Sequence, residues 1–303
     1  MSNQSVLFDA PGPRARRRAV FGNIIGAIVV LGIAAFVLYQ LHLHGQLTAE
    51  VWAPMIEART WLYYFLPGLQ NTLVAAAYSI VLAMIFGLVF GVGRLSSSRV
   101  IRWVCGVVVE FFRAVPVLIM MIGAWIFTAQ FLGVPPSQSP FLGVVIGLTL
   151  YNGSVIAELV RSGVHGLPSG QREAALAVGM TRGQSIRSIE LPQALMAMLP
   201  ALVSQFVVVL KDSALGSIIT YSELLRSAQL IYADAPFPVL QSLAVIAVIF
   251  IVLNALLAWL AGKVARRIGG RTSGKAGGGG LKGGVNGAVS VRAVQKSEMG
   301  GMG

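Results

Sequence analysis

The stretch EAALAVG at residues 173–179, with IELP at residues 189–192, decides how this chain is organised. It is polar and helix-forming, in a chain that is 56% hydrophobic and only 11% charged. Because soluble domains carry about 25% charged residues, this composition over 303 residues predicts an integral membrane protein. A polar segment between membrane spans lies in water on one side of the bilayer, where another protein can reach it.

The apolar runs around this stretch predict six membrane-spanning helices and hence an all-α membrane fold. Each run is long enough to cross a hydrocarbon core about 30 Å thick. The predicted spans are residues 20–41, 66–93, 103–131, 141–161, 194–211 and 239–262. The first run is too long for the apolar part of a removed signal peptide, so we expect it to be retained.

The basic residues predict the orientation of these spans. Arginine and lysine are concentrated in residues 1–19, in the 94–102 and 162–193 loops, and after residue 262. With six spans these segments all fall on one side, and an excess of basic residues marks the cytoplasmic side. We therefore expect both termini in the cytoplasm. The net charge of +12 is explained by these loops, so membrane lipid rather than nucleic acid is the expected partner.

No cofactor site is expected on this chain. Residues 272–303 are rich in glycine and lack apolar periodicity, which predicts a flexible cytoplasmic tail. Gly269 to Lys275 approaches a phosphate-binding loop, but Ala276 stands where a Ser or Thr would bind Mg²⁺. The single Cys105 and the scattered histidines have no metal-ligand spacing. We expect no catalytic residue, no metal ligand and no ATP hydrolysis by this chain.

Two pairs of glycines in the predicted spans are spaced four residues apart, Gly87 with Gly91 and Gly143 with Gly147. This spacing allows two helices to approach each other closely. It serves a dimer interface or packing within one chain, and we favour packing within the chain because the motif is common in membrane helices.

The polar segment at residues 166–192 has the local signals of two short helices. Its first part is rich in Ala and Glu, which favour a helix, and Gly179 stands where that helix would end in the left-handed conformation. Thr181 and Gln184 have the spacing of a capping box for a second helix, and Pro192 ends the pattern. These local signals leave two interpretations open: a compact pair of helices that binds a partner protein, and an ordinary amphipathic loop.

Charged side chains inside predicted spans are costly and are therefore candidates for the substrate pathway. Arg113 could bind a substrate carboxylate, or it could pair with Glu110 one helical turn earlier, and we favour the pair. Glu158 and Arg161 have the same spacing and are interpreted as a second structural pair.

Amide, hydroxyl and amino groups in the spans supply the other pathway candidates. Asn152 lies near the middle of the fourth span. Lys211 ends the fifth span, and it either meets an acidic substrate side chain or forms an ion pair at the helix end. The remaining candidates are Asp212, Ser213, Asn71, Thr72 and Gln205.

The polar segment also carries a family resemblance. Glu-Ala-Ala, three residues, Gly, nine residues, Ile, one residue and Leu-Pro resembles the coupling loop of ATP-binding-cassette importer permeases. The matching positions are Glu173, Ala174, Ala175, Gly179, Ile189, Leu191 and Pro192. The stretches EFFRAVP at 110–116, LKDSAL at 210–215 and ELLR at 223–226 resemble the polar-amino-acid branch. FDAPGPR at 8–14 and YNGSVIAE at 151–158 resemble permeases of bacterial glutamate importers.

The resemblance implies a fold and a set of partners. The fold is a type I importer permease core of five helices over about residues 66–262, preceded by one extra membrane helix at 20–41. The implied partners are an ATPase homodimer that holds ATP and Mg²⁺, a second homologous permease and an extracytoplasmic amino-acid binding protein. The implied location is the bacterial cytoplasmic, or inner, membrane.

The expected function is that of the permease subunit of an ATP-driven importer for glutamate or another acidic or polar amino acid. One alternative is an amino-acid transporter driven by an ion gradient, which favours inverted repeats, and no clear repeat is visible. Another is a membrane assembly protein, which would not need paired charges in several spans. The sequence leaves the exact substrate and the identity of the second permease open.

Overall fold

The computed structural model describes residues 12–233 and 239–273, and all regular secondary structure in them is helical. The predicted all-α fold is confirmed. The FDAPGPR stretch up to residue 11 and the predicted tail from residue 274 lie outside the described residues. The α-helices are α1 Pro13–Leu43, α2 Ala49–Trp52, α3 Ala58–Thr60, α4 Leu66–Gly93, α5 Arg99–Ala114, α6 Val117–Gln130, α7 Ser139–His165, α8 Ser169–Ala177, α9 Arg182–Ser185, α10 Leu191–Ala197, α11 Leu199–Asp212, α12 Leu224–Ala233 and α13 Val239–Ser273.

Short π and 3₁₀ turns extend several of these helices. Trp61–Phe65 and Ile186–Glu190 are π-helical and lead into α4 and α10, whereas Ala53–Met55 and Ser213–Ile219 are 3₁₀-helical. By length and composition, five helical stretches in the described residues are able to cross a membrane. They are Arg14–Leu43, Ala58–Gly93, Ser139–His165, Leu199–Ile219 and Val239–Lys263.

The predicted span at 103–131 is corrected by the structure. It is not one helix, because α5 and α6 meet at an angle of 101°. Pro116 cannot donate a backbone hydrogen bond and disfavours the helical conformation of the residue before it. Val115 is accordingly extended, with φ −82° and ψ 127°. Six candidate spans result only if α5 and α6 are counted together.

Helix α7 lies at the centre of the described bundle and packs against α4 and α6. Both glycine pairs serve these contacts, as predicted. A Cβ added to Gly91 in α4 would lie 2.8 Å from Cβ of Val160, and one added to Gly87 would collide with Ile156. On the other side of α7, a Cβ on Gly147 would lie 2.8 Å from the backbone nitrogen of Met121 in α6.

We expect Gly147→Ala to destabilise the chain, because its new methyl group meets backbone that cannot rotate away. Overpacking of this kind costs about 1–3 kcal/mol. Gly123→Ala is the matched control, since a Cβ on Gly123 meets nothing within 4 Å. Thermal unfolding in detergent should show a lower Tm for Gly147→Ala only. Equal Tm values for the two variants would contradict the close contact of α6 and α7.

Helix α1 is a single long helix whose apolar window is 0% buried. The segment that follows it contacts the last helix of the bundle, since the side-chain amide of Gln241 in α13 donates to the backbone oxygen of Gln46 at 2.8 Å. Among the described residues, the apolar surface of α1 is thus left exposed, and contact with the bundle is made by the segment after α1.

Candidate functional site

Residues 166–192, which we name the coupling segment after the motif they resemble, fold into the two short helices that the sequence predicts. Helix α8 ends at a left-handed glycine, Gly179, with φ +83°. The N–H of Gly179 donates to the oxygen of Leu176 at 3.0 Å, and the N–H of Met180 donates to the oxygen of Ala175 at 3.1 Å. These two bonds satisfy carbonyl groups that a helix end would otherwise leave unpaired, so the chain turns sharply here.

The predicted capping box at the start of α9 is confirmed. The N–H of Gln184 donates to Oγ1 of Thr181 at 3.3 Å, and the N–H of Thr181 donates to Oε1 of Gln184 at 2.8 Å. Local hydrogen bonds therefore fix the end of α8 and the beginning of α9, and the turn between them is held at both sides.

A buried carboxylate, Glu190, joins the parts of the coupling segment. Its exposed fraction is 1%. Ser185 donates to it at 2.7 Å, Arg172 lies 3.4 Å away, and Arg182 forms a further ion pair with it. Arg172 belongs to α8 and Arg182 to α9, so one carboxylate connects both helices to the start of α10.

Sequence reasoning missed the role of Glu190, although the residue stands inside the quoted IELP stretch. The available signal was a lone carboxylate at the start of an apolar span, with two arginines in the segment before it. Such a group is not left unpaired when it is buried.

The pKa of Glu190 lies below its usual range. Burial alone raises the pKa. The hydrogen bonds from Ser185 and Arg182 and the charges of Arg182 and Arg172 together lower it by more than burial raises it. Because the pKa is lower in the folded state than in the unfolded state, this cluster stabilises the segment at neutral pH. The stabilisation is lost as the pH falls through the carboxyl pKa in acid.

The family-pattern residues divide into an exposed group and a packed group. Glu173 and Ala174 are exposed on α8, and beside them Leu176 is 46% and Val178 78% exposed. We call these four residues the docking face. Gly179 and Pro192 are also exposed, Ile189 and Leu191 are half-buried, and Ala175 is buried.

The packed side of the coupling segment is joined to two membrane helices. Ile186 is buried in one apolar cluster with Val164 of α7 and Ala194 of α10, and Leu191 packs against this cluster. Ile186 thus packs the segment against α7 and α10, whereas the docking face lies on α8, which Arg172 joins to Glu190.

An ion network connects α4, α5 and α7. It lies where α4 leads into residues 94–98 and where α7 leads into residues 166–192. Both predicted pairs are formed, Glu110 with Arg113 at 3.1 Å and Glu158 with Arg161 at 2.6 Å. Arg94, which sequence reasoning missed, bridges them, at 3.2 Å from Glu110 and 2.7 Å from Glu158. Arg113 is thus held by a carboxylate of its own helix, as in the structural interpretation of this residue.

Two of the predicted pathway residues meet between α7 and α11. The side-chain amide of Gln205 donates to Oδ1 of Asn152 at 2.5 Å, and Asn152 in turn donates to the backbone oxygen of Leu148 at 3.0 Å. Asn152 is fully buried, whereas Gln205 is half-buried. This polar contact crosses the interface of α7 and α11, and part of the Gln205 side chain remains exposed.

Asn71 and Thr72 are not brought to that contact. Asn71 donates to the backbone oxygen of Ser222 at 2.7 Å, and Thr72 accepts from the N–H of Leu224 at 3.0 Å. Both therefore hold the segment that precedes α12. Asn71 also borders an open cavity of about 630 Å³ beside Phe141.

The end of α11 carries the last three candidates. Ser213 is buried and donates to the oxygen of Leu210 at 2.7 Å, and Asp212 is half-buried. Lys211 is exposed and makes no hydrogen bond or ion pair with the residues that the structure describes. Its charge acts on the neighbouring carboxylate of Asp212. Within the described ranges, no three His, Cys, Asp or Glu side chains are placed to hold a metal ion.

Comparison with known proteins identifies relatives of this chain. Residues 79–270 match the family described as binding-protein-dependent transport system inner membrane component. The chain is 52% identical over 223 residues to the glutamate transport system permease protein GluD of Corynebacterium glutamicum, covering 74% of this chain and 81% of that protein. It is 29% identical over 185 residues to the glutamate/aspartate import permease protein GltK of Escherichia coli O157:H7, covering 59% and 81%.

A solved structure has the same fold. A chain of an amino acid ABC transporter crystallised with histidines superposes with a TM-score of 0.60 at 30% sequence identity. The match covers 67% of this chain and 93% of that chain. The shared region is thus nearly the whole of the solved chain.

Proposed function

This chain belongs to the family of binding-protein-dependent transport system inner membrane components, and from this membership we propose that it is the permease subunit of an ATP-driven glutamate importer. The amino-acid permease class follows from the family and from its relatives. The observation that carries the coupling mechanism is the docking face, an exposed surface on α8 that the ion pair of Arg172 with Glu190 joins to the start of α10. A transporter driven by an ion gradient is not favoured, because the matching family depends on a binding protein.

A separate ATPase dimer binds the docking face in this proposal and holds the ATP and Mg²⁺. Glu173 supplies a charge and Leu176 and Val178 supply apolar area, which together suit a groove on another protein. Closure of the ATPase displaces α8, and the Glu190 cluster passes the displacement to α10. The helices α7 and α11 then change their separation around the Asn152–Gln205 contact.

The other proposed partners are a second homologous permease and an extracytoplasmic binding protein. The span Val239–Lys263 is only 6% buried, so it has apolar surface left for a second subunit or for lipid. The distribution of arginines supports cytoplasmic termini and a cytoplasmic coupling segment in a bacterial inner membrane. The binding protein then approaches the opposite side, where α4 begins and α11 ends.

Glutamate is the proposed substrate because two of the relatives are named as glutamate or glutamate/aspartate permeases. The chemistry of α11 supports an acidic amino acid, since Lys211 is an exposed cation whose charge acts on the neighbouring Asp212 but which forms no hydrogen bond or ion pair with the described residues. We propose that Lys211 meets the side-chain carboxylate and that Gln205 offers its amide to the same pathway. Asp212 and Ser213 hold the helix end that presents Lys211, while Asn71 and Thr72 hold the neighbouring segment.

We expect Lys211→Ala to lower glutamate uptake at least about tenfold, because a hydrogen bond to a charged group contributes about 1.5–3 kcal/mol. Lys211→Arg keeps the charge and should retain most of the activity. The loss should appear mainly as a raised KM for delivery of glutamate by the binding protein. Equal loss for an uncharged substrate such as glutamine would contradict a role of Lys211 in recognising the acidic side chain.

Competition between amino acids tests the proposed substrate. Cells that express this permease with its partners are given labelled glutamate and an excess of unlabelled glutamate, aspartate, glutamine or arginine. Glutamate should compete most strongly, and arginine should have little effect. Competition by arginine alone would refute the proposal that the substrate is an acidic amino acid. It would not change the assignment of the chain to the permease family.

A further inference from the structure

Helix α5 presents two exposed strips side by side. One strip is apolar and contains Val100, Trp103, Val104, Val107 and Phe111. Trp103 is 69% exposed and Phe111 60% exposed. The adjacent strip is formed by the exposed polar side chains of Arg99, Arg102, Glu110 and Arg113, with the half-buried Gly106 between them. The remaining side of α5, with the fully buried Val109, packs on α4 and α7.

The direction of α5 agrees with these strips. Because α5 meets α6 at 101°, it runs along the membrane surface when α6 runs across the membrane. A helix with an apolar side beside a basic side is the form that lies in the membrane–water interface. Tryptophan is enriched at the same depth, among the lipid headgroups.

We propose that α5 binds an anionic phospholipid, with its phosphate at Arg99 and Arg102 and its acyl chains against Trp103 and Val107. These four residues line a shallow cavity that is open to the outside, and all of its lining residues belong to α5. Gly106 forms part of the same lining, and a Cβ built on Gly106 would meet nothing within 4 Å. This lipid site goes beyond the proposed transport function and does not depend on the identity of the amino acid.

The charges along the polar strip favour an anion at one end only. Arg99 makes no hydrogen bond or ion pair within the described part of the chain. One guanidinium nitrogen of Arg102 donates to the backbone oxygen of Ser96 at 2.8 Å, which leaves its other N–H groups for a phosphate. Glu110 also lines the cavity, but it lies eleven residues from Arg99, about 16 Å along the helix.

The carboxylate of Glu110 does not repel a phosphate at Arg99, because it is already neutralised. Arg94 lies 3.2 Å and Arg113 3.1 Å from its oxygens. The two basic residues at the start of α5 therefore supply the net charge of the cavity. A phospholipid fits this arrangement better than a protein does, since one molecule offers a phosphate and adjoining hydrocarbon to the neighbouring strips.

Native mass spectrometry of the purified full chain with added phosphatidylglycerol or phosphatidylcholine of equal acyl length tests this site. Phosphatidylglycerol should bind more tightly. An arginine at an anionic surface contributes about fivefold in affinity, so Arg99→Gln with Arg102→Gln should weaken the preference about 30-fold. The matched control replaces Arg17 and Arg18, an exposed basic pair on α1, and should keep the preference.

Arg99→Gln alone should weaken the preference about fivefold without disturbing the bond from Arg102 to Ser96. Equal binding of the two lipids would overturn the proposal, as would an unchanged preference in both arginine variants. A spin label at Val107→Cys, in a Cys105→Ser background, should be accessible to oxygen dissolved in the lipid when the assembled importer is reconstituted. An inaccessible label would show that a protein subunit covers α5 and would also overturn the proposal.

Discussion

Glu190→Ala is expected to abolish ATP-coupled uptake while leaving the membrane helices folded. The substitution removes the acceptor shared by Ser185, Arg172 and Arg182, so α8 and α9 lose their ion pairs to the residue that precedes α10. The hydrogen bond from Gln193 of α10 to Gln171 of α8 remains. A lost buried acceptor of charged donors costs about 2–3 kcal/mol here, since both arginines remain partly exposed to water. That is enough to disorder a segment of this size but not the bundle around α7.

The measurement compares uptake and protease sensitivity of the coupling segment in three variants. Glu190→Ala should be cleaved within residues 166–192 and should not transport. Glu190→Gln keeps an acceptor for Ser185 and should retain part of both properties. Glu50→Ala, at an exposed glutamate outside the segment, should match the wild type. A transport-competent Glu190→Ala protein would contradict the role of this carboxylate in holding the segment together.

Glu173→Lys is expected to abolish uptake by a different route. Glu173 is exposed on the docking face, so its reversal of charge leaves the fold of the segment unchanged. If the partner surface complements this carboxylate, a like charge there costs several kcal/mol, more than about a hundredfold in affinity. The chain should reach the membrane with a normal Tm, but the ATPase should no longer copurify with it.

Glu57→Lys is the matched control for this variant, because Glu57 is an exposed glutamate in the segment before α4. It should copurify with the ATPase and transport normally. Normal ATP-coupled uptake by Glu173→Lys would refute the assignment of the docking face. If uptake were lost while the ATPase still copurified, Glu173 would act in a step that follows binding of the ATPase.

Local signals account for what the sequence predicted well. The apolar runs set the membrane helices because their length must match the bilayer. The turn at Gly179 and the capping box at Thr181 involve residues at most five apart, so propensity and spacing are sufficient to predict them. The close packing at Gly147 also follows from sequence, since only a residue without a side chain allows such an approach.

Contacts between distant residues account for what was missed. Arg94 and Glu158 are 64 positions apart in the sequence, and nothing near either residue indicates the other. Arg172 and Glu190 are separated by 18 positions, and their pairing depends on the turn between α8 and α9. The angle of 101° at Pro116 was also missed, because it depends on how α5 packs against α4 and α7.

Helix α5 shows how a composition-based boundary can hide a functional surface. Arg99 and Arg102 were assigned to a loop because they are charged, yet they are the first residues of the polar strip of a helix. The spacing of Arg99, Arg102, Glu110 and Arg113 follows the period of a helix and was the available signal.

The most direct test of the central claim is accumulation of labelled glutamate by proteoliposomes. These contain this permease, its homologous partner and the ATPase, with the binding protein added on the opposite side from ATP. We predict accumulation that requires ATP and the binding protein and that is unaffected when sodium and proton gradients are removed. Accumulation driven by an ion gradient without ATP would contradict the account.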